Sequence, residues 1–110
     1  MKTDERLTFA QFWPAYLREH SNPTTRAMHL AGTVAALLCL VTALITRNPW
    51  WVLIAFVAGY GPAWFAHFFV EKNRPATFSH PLFSLAADFA MLGHALRGTL
   101  DDEVRKATQQ

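Results

Sequence analysis

Two long stretches without a charged residue, separated by a short polar break, dominate this sequence of 110 residues. The first covers residues 30–46, the second covers residues 50–70, and Arg47, Asn48 and Pro49 lie between them. Their lengths, about 17 and about 21 residues, are close to what an α-helix needs to cross roughly 30 Å of hydrocarbon. The pattern predicts a hydrophobic hairpin of two antiparallel helices, with the polar break at its tip.

The composition narrows the class of protein further. Hydrophobic residues make up 52% of the chain and charged residues only 16%, against about 25% charged in an average soluble domain. So much apolar surface excludes a disordered chain, and a net charge of +2 gives no reason to expect a nucleic-acid partner. The lone Cys39 excludes a disulfide framework and a cysteine-based zinc site. Two classes remain: a small helical membrane protein and a very apolar soluble helical bundle.

A shorter amphipathic segment precedes the hairpin. Its large apolar side chains recur at the three- and four-residue spacing of one helix face: Phe9, Phe12, Trp13, Tyr16 and Leu17. Thr8 is a suitable N-cap residue for this helix, and the polar turn at residues 21–24 should cap the next one.

A third apolar segment follows the hairpin over residues 81–96 and carries Asp88 in its middle. Its placement stays open, because it fits a membrane span, a re-entrant segment or a helix lying against the hairpin. The polar residues 97–110 are expected to fray. We therefore predict an all-α, membrane-embedded helical bundle with an amphipathic N-terminal helix, a hydrophobic helical hairpin and a third apolar helix. A single domain should cover residues 1–110, with a core of about 8–98 and a polar C-terminal tail at 99–110.

The basic residues are distributed unevenly about the hairpin. Arg47 lies at the tip, and the other end is flanked by Lys2, Arg6, Arg18, Arg26, Lys72 and Arg74. Because cytoplasmic loops of membrane proteins carry an excess of Lys and Arg, the basic end is predicted to face the cytoplasm.

Four of the five histidines are predicted to lie at that same end. His20 and His29 precede the first apolar stretch, His67 lies near the end of the second, and His80 follows the return loop. His94 is about fourteen residues further along its helix, roughly 20 Å away. Imidazoles at one locus suit iron, zinc, copper or nickel, and the absence of thiolates disfavours a structural zinc site. A metal site at this end is one hypothesis, and an ordinary interfacial role for each histidine is the other.

Two acidic residues accompany the histidines. Glu71 lies four residues after His67 on the same helix face, although it equally fits a solvated charge beside Lys72. Asp88 lies inside an apolar segment, where a carboxylate is costly and by default functional or paired. Asp88 therefore fits either a role in the site or a role in helix packing.

Two blocks of residues resemble the motifs of a known family. The first block contains Tyr16-Leu17-Arg18-Glu19-His20, Asn22-Pro23, Arg26, His29 and Gly32. The second contains Gly59-Tyr60, Trp64, His67, Glu71-Lys72-Asn73-Arg74-Pro75-Ala76, Phe78, His80-Pro81-Leu82, Ser84-Leu85, Asp88-Phe89 and Met91. In order and spacing they resemble the small membrane proteins of the 2-hydroxy fatty acid dioxygenase family, over residues 9–98. The best match is to the short bacterial-type members.

The resemblance implies an Fe(II)-dependent dioxygenase that uses O₂ to shorten 2-hydroxy fatty acids by one carbon, which is fatty acid α-oxidation. It also implies a membrane location, the inner membrane for a bacterial-type member, with the metal end on the cytoplasmic side.

The same resemblance assigns roles to individual residues. The metal ligands it implies are His20, His29 and His67, and His80 is added because of its predicted position. The expected catalytic residues are His20, His29, His67, Glu71 and Asp88. Arg26 and Arg74 are expected to bind the substrate carboxylate.

Other functions stay open. The chain fits a non-catalytic small membrane protein whose histidines are structural or bind a metal towards a partner. It also fits a haem protein with His29 and His67 as axial ligands on facing helices. Gly59 and Gly61 offer a close-packing face, which would suit a homo-oligomer.

Overall fold

The computed structural model describes residues 8–109, and the regular elements within them are all helical. They are α1 (Phe9–Arg18), α2 (Pro23–Thr46), α3 (Trp50–Ala66), α4 (Pro81–Arg97) and α5 (Leu100–Thr108). A π-helical turn at His67–Glu71 extends α3, and a 3₁₀ turn at Ala76–Phe78 precedes α4. The predicted all-α class is confirmed. Lys2 and Arg6, two of the basic residues from which the cytoplasmic end is predicted, lie outside the described residues.

The chain divides into two compact units. One is Asn22–Pro75 and contains α2, α3 and the π-helical turn. The other combines Met1–Ser21 with Ala76–Gln110 and contains α1, α4 and α5. The single-domain organisation over residues 1–110 stays a prediction.

The helices of the hairpin begin and end at the residues that the sequence indicates. Asn22 caps α2, because its Oδ1 accepts the Thr24 N–H at 2.8 Å, and Pro23 occupies the first turn, where its missing N–H costs nothing. α2 ends at Arg47, which has a left-handed φ of 57°, and Pro49 then precedes α3. The predicted hairpin is thus confirmed.

α2 and α3 approach each other through their backbones. A Cβ atom on Gly32 would lie 2.8 Å from the Gly59 carbonyl oxygen and 3.2 Å from that of Ala58. Pro62, inside α3, has no N–H to donate. The Ala58 carbonyl therefore lacks its usual helical donor and lies against α2 instead. Small residues at the interface allow two apolar helices to pack this closely.

Most of the apolar surface of the hairpin is exposed. Pro23–Thr46 and Trp50–Glu71 are long and apolar enough to cross a membrane, and only 17% and 22% of their most apolar stretches are buried. Leu44 and Ile45, near the tip, are 80% and 77% exposed. A core helix of a soluble protein would bury most of such a stretch. The two helices are therefore candidate membrane spans.

In the other unit, α1 packs against α4 and α5. Thr8 begins α1 with a capping box, since its Oγ1 accepts the Gln11 N–H while the Gln11 side chain accepts the Thr8 N–H. The buried face of α1 consists of Phe12, Tyr16 and Leu17. The predicted amphipathic helix and its cap are confirmed, and α4 is the predicted third apolar helix.

The prediction that the polar residues 97–110 fray is wrong for residues 97–109, and Gln110 lies outside the described residues. Leu100–Thr108 forms α5, which buries Leu100 and Ala107. The Trp13 indole N–H donates to Glu103 Oε1 at 2.9 Å and so joins α1 to α5. Leu100, Val104 and Ala107 recur at the spacing of one helix face. This spacing predicts a helix, although the segment as a whole is polar. The bounds of the predicted core, about 8–98, stay a prediction.

We predict that Gly32→Ala destabilises the hairpin by about 1–3 kcal/mol, the usual cost of overpacking. The new methyl group would overlap the Gly59 carbonyl, and the better helix propensity of Ala would not offset this. Gly61→Ala is the matched control, because nothing lies within 4 Å of its Cβ position. Unfolding in detergent measures both, and equal stability of the two variants would contradict the backbone contact.

Candidate metal centre

The buried face of α2 is polar in its N-terminal half. It consists of Thr25, His29, Gly32 and Thr33, which lie four, three and one residues apart and so share one side of the helix. Within a helix that is otherwise apolar, burial of polar groups is costly unless they form hydrogen bonds or bind a ligand. This face is therefore the first candidate for a site.

His67 meets this face from the end of α3. Its ring centroid lies 5.9 Å from that of His29, and the two rings are nearly perpendicular at 86°. Both side chains are buried. Because helix side chains lean towards their own N-terminus, His29 leans towards the open end of the hairpin and His67 leans back towards the tip. The antiparallel arrangement thus brings the two imidazoles together.

Asn73 fixes the orientation of the His67 ring. His67 Nδ1 donates to Asn73 Oδ1 at 2.7 Å, and the Asn73 N–H donates to the His67 carbonyl at 2.9 Å. Lys72, with a left-handed φ of 62°, turns the chain so that Asn73 reaches back. With its proton on Nδ1, a neutral His67 ring carries its lone pair on Nε2. Metal-binding histidines are usually oriented by such a bond.

Glu71 joins the two ends of the hairpin. Its Oε2 accepts the backbone N–H of Asn22, the cap residue of α2, at 2.6 Å. The bond ties the π-helical turn that begins at His67 to the start of the helix that carries His29. This contact gives Glu71 a structural role, and a catalytic role stays a prediction.

His20 lies in the other unit, just after α1. Its Nδ1 donates to the Tyr16 carbonyl at 2.7 Å, and its ring lies 4.3 Å from the Tyr16 ring. This bond also places the lone pair of a neutral imidazole on Nε2. Only Ser21 separates His20 from Asn22, the cap residue of α2.

Asp88 is bonded to the same tyrosine. The Tyr16 hydroxyl donates to Asp88 Oδ1 at 2.6 Å, and both residues are buried. Burial raises the pKa of Asp88 to about 7, and the bond from Tyr16 opposes this in part. The pKa of Tyr16 is raised well above its ordinary value, first by burial and then by the Asp88 charge. Tyr16 therefore keeps its proton and links Asp88 to His20.

The remaining candidate residues lie in different surroundings. His80 precedes α4, where its ring packs on Phe12 and Phe83 and its Nδ1 lies 3.1 Å from Ser79 Oγ. Its role as a ligand stays a prediction. Arg26 lies in the first turn of α2, and Arg74 lies in the loop after the π-helical turn.

His94 lies on α4, and its Nδ1 is bonded to Thr99 Oγ1 at 2.7 Å. Its ring stacks on Trp13. It is the histidine that is predicted from the sequence to lie apart from the other four.

The donor set fits a transition metal. His29 and His67 are buried within one unit and each offers one ring nitrogen, and the buried His20 of the other unit offers a donor of the same kind. Imidazole donors suit iron, zinc, copper and nickel, whereas magnesium and calcium prefer oxygen ligands. The hydrogen bonds of His20 and His67 supply the orienting partners that such ligands need.

A comparison with protein families identifies what the chain is related to. The family model described as 2-hydroxy-palmitic acid dioxygenase Mpo1-like matches residues 7–100. The chain belongs to this family. The match includes all five histidines, Glu71 and Asp88, and it confirms the resemblance seen in the two sequence blocks. No curated protein and no solved structure gives a significant match to this Mpo1-like chain.

Reasoning from the sequence missed two residues that position the histidines. Tyr16 and Asn73 both lie in the motif blocks, yet no role was assigned to either. For Asn73, the signal is a side-chain amide in the turn six residues after His67. For Tyr16, it is the four-residue spacing to His20, which puts both on one helix face.

We predict that Asp88 makes the metal-free protein less stable as the pH rises from about 4 to about 7. The unfolded chain releases the Asp proton near its ordinary pKa of about 3.9, whereas the folded chain holds it until about 7. The free energy of unfolding therefore falls as the pH rises through that range and does not fall further above it.

Asp88→Asn should remove this part of the pH dependence while keeping an acceptor for the Tyr16 hydroxyl. Asp101→Asn, on an exposed part of α5, is the control. The free energy of unfolding between pH 4 and pH 8 measures the effect. An unchanged slope in the Asp88 variant would contradict the assignment.

Proposed function

We propose that this protein is an Fe(II)-dependent dioxygenase that shortens 2-hydroxy fatty acids by one carbon. The observation that carries the proposal is the buried, perpendicular pair of His29 and His67, oriented by Asn73, in a chain of the Mpo1-like family. One O₂ balances the conversion of a 2-hydroxy acid into the acid one carbon shorter, carbon dioxide and water.

In this proposal His20, His29 and His67 hold the iron through ring nitrogens. The Tyr16 carbonyl orients the first ring and Asn73 orients the third, each by accepting an Nδ1–H. When bound, Fe(II) supplies the activation of O₂. Burial of the three rings excludes bulk water and favours the neutral imidazole, which is the form that binds a metal.

The carboxylate of the substrate is proposed to bind at the start of α2. The N-terminus of a helix favours an anion, and the first turn of α2 has no acidic residue of its own, although the Glu71 carboxylate accepts the N–H of its cap residue. Arg26 lies in that first turn, and Arg74 lies in the loop that follows the π-helical turn. Both supply positive charge at the same end of the hairpin.

The acyl chain is proposed to lie along the exposed apolar surface of the hairpin, within a membrane. His29 lies six residues after Pro23, roughly 9 Å from the start of α2. At that depth a carboxylate stays near the polar surface while the acyl chain enters the hydrocarbon. We further propose that this end of the hairpin faces the cytoplasm of a bacterial cell.

The close contact of the two helices disfavours the haem alternative. Gly32, one turn from His29, already touches the backbone of α3 at Gly59. A porphyrin between the two rings would have to separate helices that are in contact at this point. A single metal ion needs no such space.

We predict that His67→Ala abolishes both iron binding and turnover. Wild-type protein loaded anaerobically with Fe(II) should hold about one iron per chain and convert 2-hydroxypalmitic acid to pentadecanoic acid with uptake of O₂. The variant should lose both, because one of three imidazole ligands is gone. Elemental analysis and product chromatography measure the two effects.

His94→Ala is the matched control, since His94 is bonded to Thr99 within its own unit and should leave iron content unchanged. Thermal unfolding of the metal-free proteins checks that both variants fold. Retained iron and full turnover in His67→Ala would contradict the proposal. Wild-type protein that binds no iron would favour the non-catalytic membrane protein instead.

A further inference from the structure

Thr25 carries a buried hydroxyl that the helix does not satisfy. Its side chain is 0% exposed, and within residues 8–109 its Oγ1 has no hydrogen-bond partner. The residue four positions earlier is Ser21, which precedes the helix cap, so the carbonyl to which a helical threonine usually donates is not part of this helix. Other helical threonines donate to the carbonyl four residues before them: Thr33, Thr42, Thr46 and Thr108.

An unpartnered hydroxyl in this position calls for a physical reason. Burying one costs about 1–3 kcal/mol relative to leaving it in water, and native proteins retain few such groups. Valine has almost the same shape and would fill the space without that cost. The hydroxyl of Thr25 is therefore expected to bind a group that arrives with a ligand.

The position of Thr25 indicates the charge of that group. Thr25 lies one turn before His29 on the same buried face of α2, and the His29 ring is 5.9 Å from that of His67. Thr25 also belongs to the first turn of α2, which has no acidic residue of its own and carries the positive end of the helix dipole. The Glu71 carboxylate binds the Asn22 N–H at this end, but Arg26 and Arg74 supply two positive charges there. An anionic oxygen acceptor is favoured there.

We propose that the Thr25 hydroxyl donates a hydrogen bond to the carboxylate of the fatty acid and so positions the head group beside His29 and His67. This inference rests on the proposed function, since it names a residue that would hold the substrate of that reaction. It makes Thr25 a determinant of specificity for acids over alcohols of the same chain length.

The test compares Thr25→Val, which removes only the hydroxyl, with Thr25→Ser, which retains it. Thr42→Val is the matched control, because Thr42 lies on the same helix roughly 25 Å away and donates to the Leu38 carbonyl. Iron-loaded protein is titrated anaerobically with 2-hydroxypalmitic acid, palmitic acid or 1,2-hexadecanediol. Quenching of tryptophan fluorescence reports the Kd.

A hydrogen bond to a charged group implies that Thr25→Val weakens binding of both acids about 10- to 100-fold. Binding of the diol, which has no carboxylate, should not change, and Thr25→Ser and Thr42→Val should bind like the wild type. The metal-free Thr25→Val protein should unfold no more easily than the wild type, because no internal bond is lost.

Three results would overturn the proposal. The first is equal affinity of Thr25→Val and wild type for the acids. If the wild type then still turns over its substrate normally, the proposed function is not contradicted. A loss confined to 2-hydroxypalmitic acid would assign the hydroxyl to a different substrate oxygen. Failure of the wild type to bind either acid would show that a fatty acid is not the ligand. Acid binding without turnover would instead contradict the proposed function, and the variant comparison would still decide the role of Thr25.

Discussion

The contact between α2 and α3 at Gly32 and Gly59 sets the separation of the helices that carry His29 and His67. Two helices packed through bulky side chains lie about 8–10 Å apart, whereas a glycine lets the backbones touch. That approach brings the two imidazoles to a centroid distance of 5.9 Å. Without it, His29 and His67 would face each other across a layer of side chains.

The open end of the hairpin is held by polar bonds. Glu71 accepts the N–H of Asn22, and Asn73 contacts His67 through both its side chain and its backbone N–H. The bond between Glu71 and Asn22 is exposed to competition from water, whereas the side-chain bond between Asn73 and His67 is partly buried. The glycine contact is a close approach of two backbones and lies further from the open end, so the two kinds of interaction stabilise different parts of the same hairpin.

Features that depend on local chemistry could be predicted from the sequence. Thr8, Asn22 and Pro23 begin helices because their side chains suit those positions, and the break at Arg47 and Pro49 ends one helix before the next starts. The approach of His29 and His67 follows from the hairpin topology. The family, too, could be recognised from the two motif blocks.

Features that depend on packing could not be predicted from spacing. The bond between Tyr16 and Asp88 joins residues 72 positions apart, and no periodicity indicates such a partner. The aromatic surroundings of His80 could not be predicted either, since its ring packs against Phe12 and Phe83, and its role as a metal ligand stays a prediction. α5 was missed because polar composition was weighed above the helical spacing of Leu100 and Ala107.

The central claim is that imidazoles of this chain hold one iron ion. X-ray absorption at the iron edge of the anaerobically loaded wild-type protein tests it most directly, because imidazole rings give a characteristic multiple-scattering pattern. The account predicts a pattern that fits three imidazoles, from His20, His29 and His67. A first shell of oxygen donors with no imidazole scattering would contradict it.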